Sequence, residues 1–358
     1  MIRILVLFIS AVFICNCSGE PEKIIGVKIY EYSGDYEKLV SQWEKMGINT
    51  AFVSIDLAAD TNFRKAFEIK GIKVFIIFPV FFNPETLNRD STLFAITNSG
   101  KKAREDWVEF VCPSRSIYRN AMKEQLSGLI SSLDPDGVSI DFIRQFVYWE
   151  KIYPDREFTT IEKSCYCDSC ISMFSAKFRI SIPDSCETTA EKAEWIETRY
   201  SSSFDSFRCD LITSMVRELS EEAHNVKKEI LVNVHLVPWR NNDYGNGSIR
   251  IAGQDLRSIE PYTDYASPMC YSQMLDRDAE WISDVVKDMD IRAMGKILPS
   301  IQVFPYYIDR SFTAADFRLC LEEALKPPSE GVVFFSWPLF EKDSARMEVV
   351  RKVVKELN

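Results

Sequence analysis

Asp141 stands inside the run Gly137-Val138-Ser139-Ile140-Asp141-Phe142-Ile143-Arg144, between an isoleucine and a phenylalanine. A carboxylate withdrawn from water costs several kcal/mol unless it is paired or hydrated. A purely structural aspartate is more at home in a turn or at a helix cap. In a strand, side chains alternate between faces. Gly137, Ser139 and Asp141 therefore share one face, and the uniformly apolar Val138, Ile140 and Phe142 share the other. An internal ion pair with Arg144 is the competing account of the same residues.

Other β-rich runs end in similar chemistry. The first closes on Tyr30-Glu31-Tyr32 and the second on Asp56. The fifth carries Asn233 and His235, followed by Trp239 and Arg240. The sixth carries Tyr271 and Gln273, the seventh Gln302, and the eighth Ser336-Trp337. Aromatic rings stack on sugar faces, and amides and carboxylates hydrogen-bond hydroxyls. The ligand chemistry these residues fit best is a carbohydrate.

What must position them is a succession of short β-rich runs, each followed by a stretch of helical period. Strands are expected at 24–32, 50–56, 73–82, 134–146, 229–239, 263–274, 295–304 and 331–340. Helices are expected near 60–70, 117–132, 200–227, 278–290, 313–325 and 342–356, with a first one closed by Gly47. Several strands are apolar on both faces, as parallel strands covered by helices are. Eight such units with no evident linker predict an α/β fold, a (β/α)8 barrel over 24–358. A long insertion follows the third strand, and a cysteine-containing one, about 145–195, follows the fourth. A doubly wound open sheet is the alternative, but no glycine-rich phosphate fingerprint follows any strand. In a barrel, Asp141 would lie at the carboxyl-terminal rim, where barrel enzymes hold their active sites.

The segments "DGVSIDFIRQF", "HLVPWR", "DYASPMCY" and "FVCPSRSIYRNAMKEQL" resemble those of glycoside hydrolase-like barrel proteins. That resemblance covers about 24–340 and implies that the Asp141 strand is the fourth of the barrel. Gly137-x-x-Ile140-Asp141 is also similar to the fourth strand of the alpha-amylase superfamily, where the aspartate is the nucleophile. Strand five, however, has no carboxylate where those relatives place theirs. The strand resembles the chitinase-like pattern too, but Ile143 stands where that pattern needs its glutamate. Glycoside hydrolysis uses two carboxyl groups across the bond. Asp141 is expected as nucleophile or base. Glu31, with a tyrosine on each side to desolvate it, is expected as the acid. Asp56, Glu150, Asp155 and Glu157 are further candidates for that role. Asp56, His235, Trp239, Arg240, Tyr271, Gln302 and Trp337 are expected to line a substrate site.

Cys165, Cys167 and Cys170 follow the spacing C-x-C-x-x-C, which brings three thiolates within reach of one metal. Cys186 or Cys209 could complete the set. Some barrel glycosidases resemble this arrangement, with a small structural zinc cluster on a loop. Disulfides are the competing reading, and no other cofactor is required.

The amino terminus places one arginine, Arg3, before an apolar run from Ile4 to Ile14, too short to span a bilayer and suited to a secretory signal. It resembles a lipoprotein signal over 1–16, with Cys17 acylated and 17–23 as a linker. The expectation is an exported protein, anchored by lipid in the cell envelope. The formal charge of −10 and the lack of a basic helix face exclude nucleic acid as a partner. The function expected is hydrolysis or binding of a polysaccharide or oligosaccharide. The rival readings are a non-catalytic glycan binder and a structural envelope lipoprotein.

Overall fold

The computed structural model describes residues 22–293 and 296–357. The signal segment and Cys17 lie outside the described residues. Eight strands run parallel: β1 Ile24–Ile29, β2 Thr50–Val53, β3 Lys73–Pro79, β4 Gly137–Asp141, β5 Leu231–Leu236, β6 Tyr265–Pro268, β7 Ser300–Gln302 and β8 Gly331–Trp337. Each pairs with its sequence neighbour, and β1 pairs with β8. Bridges from Ala266 to Ile297 and from Met269 to Ser300 join β6 to β7, so the sheet closes. The expected barrel is present, and the open sheet is not.

Helices form the outer layer: α1 Tyr36–Met46, α2 Thr61–Ile69, α3 Ser116–Leu133, α4 Asp168–Phe178, α5 Thr189–Val226, α6 Glu280–Ala293, α7 Ala314–Leu325 and α8 Ser344–Leu357. Their starts follow from local chemistry. Asp35 caps α1 through the amides of Glu37 and Lys38, and Gly47 ends it at φ 71°. Thr188 with Glu191, and Thr313 with Asp316, form capping boxes for α5 and α7. The faces so presented bury Leu39, Val40, Trp43 and Met46 of α1 against the sheet.

The strands stop earlier than their apolar runs. β1 ends at Ile29 and β2 at Val53, so Glu31 falls in a loop and Asp56 in the short helix Ile55–Ala59. Ser54 captures the Leu57 amide and turns the chain there.

Inside the barrel the side chains are layered. The lower layer is dry: Phe52, Phe75, Ile77, Leu298 and Val333 form their own cluster. The Phe52 and Phe75 rings lie 5.0 Å apart and fill the space above two glycines. A Cβ on Gly137 would come 2.3 Å from the Phe75 ring, and one on Gly26 would come 2.7 Å from Phe52. Polar residues occupy the layer above. An apolar plug thus seals the bottom, and chemistry is confined to the top.

Two insertions rise from the rim. The first, between β3 and α3, contains a small hairpin of Arg104–Glu105 with Val108–Glu109. The second, between β4 and α5, carries α4. They meet through a bridge from Thr97 to Ser164 and through the Tyr166 amide donating to Ile96 O at 2.8 Å. Arg208 of α5 is fully buried and donates to the carbonyls of Ser164, Arg250 and Ile251, tying the second insertion to the β5 loop.

If the Phe75 ring needs the space left at residue 137, Gly137→Ala should lower stability by about 1–3 kcal/mol through overpacking. Thermal unfolding followed by circular dichroism would show a Tm lower by several degrees. An unchanged Tm would mean the plug repacks freely.

Candidate active site and cysteine cluster

The polar layer is a connected chain of side chains. Ser267 donates to Asn233 at 2.7 Å, and Asn233 donates to Ser139 Oγ at 2.8 Å. Ser139 Oγ lies 2.8 Å from His235 Nε2. Lys28 Nζ lies 3.5 Å from His235 Nδ1 and 3.4 Å from the Tyr271 hydroxyl. An ammonium has no lone pair, so Nδ1 must be the acceptor and Nε2 carries the hydrogen. Burial, helped by Lys28 and opposed by Asp141, pushes His235 down to about 3. His235 is neutral at physiological pH and works as a hydrogen-bonding post.

Asp141 ends β4 one step above Ser139, on the same inward face. Its Oδ1 accepts from the Phe142 amide at 2.7 Å. Phe142 takes φ 49°, a left-handed conformation costing on the order of 1–3 kcal/mol. That turn is held by the Phe142 ring stacking on Phe82 at 4.7 Å and by the Arg144 guanidinium 5.2 Å above it. Among the described residues Asp141 makes no ion pair within 4.0 Å, so the internal salt bridge with Arg144 is not formed. Burial alone would raise its pKa. The His235 ring opposes this most, followed by the Lys28 charge, the Phe142 amide and the Arg144 charge, and together they hold it below the ordinary carboxylate value. At neutral pH, where His235 is uncharged, Lys28, the Phe142 amide and Arg144 are the groups that oppose the burial of Asp141.

A second carboxyl is buried on the same side. Glu150 sits in the turn Trp149–Lys151 that follows β4, only 9% exposed, and its Oε2 has no hydrogen-bond partner. Burial raises it to about 7, with Asp141 adding to the rise and Arg144 opposing it. The two carboxyl groups are thus pushed apart: one is ionised, the other half protonated at neutrality. Trp149 packs on Tyr271 at 5.7 Å, and Tyr271 stacks on Phe335 at 4.9 Å, closing the walls. Trp107 and Tyr307 are half exposed at the mouth, and the Tyr148 hydroxyl joins them at 2.9 and 3.2 Å.

The residues singled out from the sequence divide into two groups. Asp141, His235 and Tyr271 come together as described. Gln302 is buried beside them and bonds Gln273, the Met274 amide and Phe304 O, fixing the loops of β6 and β7. Glu31 is exposed in a loop, so the shielding expected of its tyrosine neighbours is absent, and Glu150 holds the buried position instead. Asp56 is exposed on its short helix. Trp239 is packed beneath Tyr244 at 5.1 Å, and Arg240 is engaged by Asp243 and Asp284 on the side of α6. Trp337 points outward, 5.6 Å from Trp43 of α1. A bulge is the reason: Val27 pairs with Phe334 but Ile29 with Trp337, so β8 has one residue more than β1 there. Phe335 takes the inward place, under Lys28 at 5.6 Å. Lys28 itself, inward on β1, was readable from the same alternation that singled out Asp141.

The cysteine cluster has four members. The sulfurs of Cys112, Cys165, Cys167 and Cys170 all lie within 4.8 Å of one another, and all four residues are buried. Cys112 is 3.5 Å from each of the others. No disulfide joins any of the eight described cysteines in this structure. The fourth member comes from the first insertion; Cys209 instead points to Ile249 O, and Cys186 is half-buried elsewhere. Four soft thiolates at this spacing fit a tetrahedral structural zinc, with Zn–S bonds of about 2.3 Å.

A cavity of about 480 Å3 opens at the opposite end of the barrel, lined by Arg64, Lys73, Asp134 and Lys227 among others. Its charges are partly self-paired, with Lys227 2.7 Å from Asp134, and the dry plug separates it from Asp141.

No family model matches the chain, and no curated protein matches it in sequence. Solved structures do match in fold. The glycoside hydrolase domain of PgaB (BpsB) from Bordetella bronchiseptica aligns at a TM-score of 0.71 and 11% identity, covering 93% of this chain and 99% of that one. The beta-galactosidase of the psychrophilic Marinomonas ef1 aligns at 0.66 and 10% identity over 93% of this chain and 59% of its own. That of Bacillus circulans sp. alkalophilus aligns at 0.67 and 13% over 94% and 56%. The chain therefore spans just under three fifths of those two enzymes. At such identities the shared property is the fold: a (β/α)8 barrel of the kind that glycoside hydrolases use.

Proposed function

We propose that the chain hydrolyses glycosidic bonds in an oligosaccharide or polysaccharide, with Asp141 as the ionised carboxylate and Glu150 as the acid. The observation that carries this reading is the pair of buried carboxyls, one held below and the other well above its ordinary value by the same surroundings. Glycoside hydrolysis needs that division: an acid to protonate the leaving oxygen, and a base or nucleophile opposite. The Oε2 of Glu150 is buried with no hydrogen-bond partner, so no protein group competes for a proton there. The half-exposed Trp107 and Tyr307 offer ring faces suited to sugars. The fold likeness to glycoside hydrolase domains supports the same class.

We further propose that the chain is exported and anchored through acylated Cys17, and that Cys112, Cys165, Cys167 and Cys170 hold one structural zinc. The metal would cross-link the two insertions and take no part in bond cleavage. The anchor rests on the lipoprotein-like signal.

Reducing-end release from a panel of polysaccharides tests the activity. Asp141→Asn and Glu150→Gln should each lose on the order of 10²–10⁴-fold in kcat/KM. Asp141 must be ionised, so the rate should fall as pH drops below the ordinary carboxylate range. Glu150 must be protonated, so it should fall again as pH rises through about 7. Glu150→Gln should lose that upper limb, and it should lose far less on an aryl glycoside whose leaving group needs no proton. Full activity in both variants would reject the assignment.

Metal analysis of reduced protein should find one zinc per chain. Cys112→Ser should lose it and unfold at lower temperature; a metal-free native protein with oxidised cysteines would favour disulfides. Expression of the full chain in a bacterium fed labelled palmitate should label the protein, and Cys17→Ser should release it unlabelled into the soluble fraction. Labelling that survives the substitution would place the anchor elsewhere.

A further inference from the structure

β1 places a lysine where the barrel is otherwise sealed. Lys28 is 1% exposed, yet among the described residues no carboxylate lies within 4.0 Å of its ammonium. Its neighbours are His235 Nδ1, the Tyr271 hydroxyl and the face of Phe335. Both polar contacts are long, at 3.5 and 3.4 Å, and neither neutralises the charge. A methionine would fill the same volume without the cost of desolvating a cation. Packing therefore gives no reason for a lysine here. The reason lies one layer up, where Asp141 ends β4 and likewise lacks a contact ion pair.

We propose that Lys28 is a positioning residue: His235 and Tyr271 hold its ammonium under Asp141, and its charge, acting across the barrel, keeps that carboxylate ionised. His235 contributes by staying neutral. It accepts from Lys28 through Nδ1 and donates to Ser139 through Nε2, so the ammonium has a fixed seat without a second positive charge. The groups that face Asp141 are His235, Lys28, Arg144 and Glu150, with Tyr30 and Tyr271 across the mouth. Arg144 acts from the loop side, over the Phe110 and Phe142 rings. Lys28 acts from below, through the floor. The coupling is mutual: Asp141 raises Lys28 against the burial that lowers it to about 8. The catalytic consequence rests on the hydrolase reading, but the coupling itself needs no substrate to be read.

The test is carbon NMR of the full protein labelled at aspartate carboxyls, with Asp141→Asn to assign the signal. In Lys28→Met the Asp141 titration midpoint should rise by about one pH unit or more. Lys28→Arg should return it toward the wild-type value, which a merely structural role would not do. In activity assays the acid limb of the Lys28→Met pH profile should move up by the same amount. An Asp141 midpoint unchanged in folded Lys28→Met overturns the proposal. Should that variant fail to fold, nitrogen NMR of the lysine ammonium groups in Asp141→Asn reads the same coupling from the other side. The Lys28 midpoint should then drop by an equal shift, and an unchanged midpoint overturns the proposal. A coupled pair in a protein that cleaves no glycan would remove the hydrolase reading and leave Lys28's role standing.

Discussion

Charge buried without a contact partner is the constraint around which the upper barrel is arranged. Lys28, Asp141, Arg144 and Glu150 are all nine-tenths or more buried, and among the described residues none forms an ion pair within 4.0 Å. Such charges interact strongly because little water screens them. The surroundings give three of them a partial substitute. Asp141 has a backbone amide, Arg144 has two aromatic faces and a carbonyl, and Lys28 has a ring nitrogen and a phenol. The dry layer of Phe52, Phe75 and Val333 beneath them keeps solvent from relaxing the arrangement from below.

The insertions set the rest of the geometry. Ser164, next to Cys165, accepts from the Phe146 amide through its hydroxyl at 2.9 Å and from Arg208 through its carbonyl. Gln145 donates to Arg208 O, and its amide donates to Ala252 O. The segment that carries Arg144 and leads to Glu150 is thereby clamped between the cysteine cluster, α5 and the β5 loop. A metal at the four sulfurs would stiffen that clamp without touching the carboxyls, which is how a structural centre can matter to a site it does not enter.

The succession of eight β-rich runs and helical stretches made the barrel legible in the sequence, and alternation along the strands picked out Asp141, Ser139, Asn233 and His235. The same alternation turns Lys28 inward, one residue inside the end of β1. Trp337 shows where alternation fails: one extra residue in β8 reverses its direction, and no local pattern in "GVVFFSWPLF" announces the bulge. Glu31 fails because a strand's end depends on what its partners pair with, and β2 stops pairing at Val53. Glu150 appeared among several loop carboxylates, but its burial depends on the whole second insertion folding over the rim. Cys112 is 53 residues from Cys165, and only the docking of the two insertions brings their sulfurs to 3.5 Å.

Protonation is the heart of the account, and neutron diffraction at mildly acidic pH observes it directly. Deuterium should appear on Glu150, on His235 Nε2 and three-fold on Lys28, with both oxygens of Asp141 bare. Deuterium on Asp141, or a bare Glu150, would contradict the division of roles between the two carboxyls.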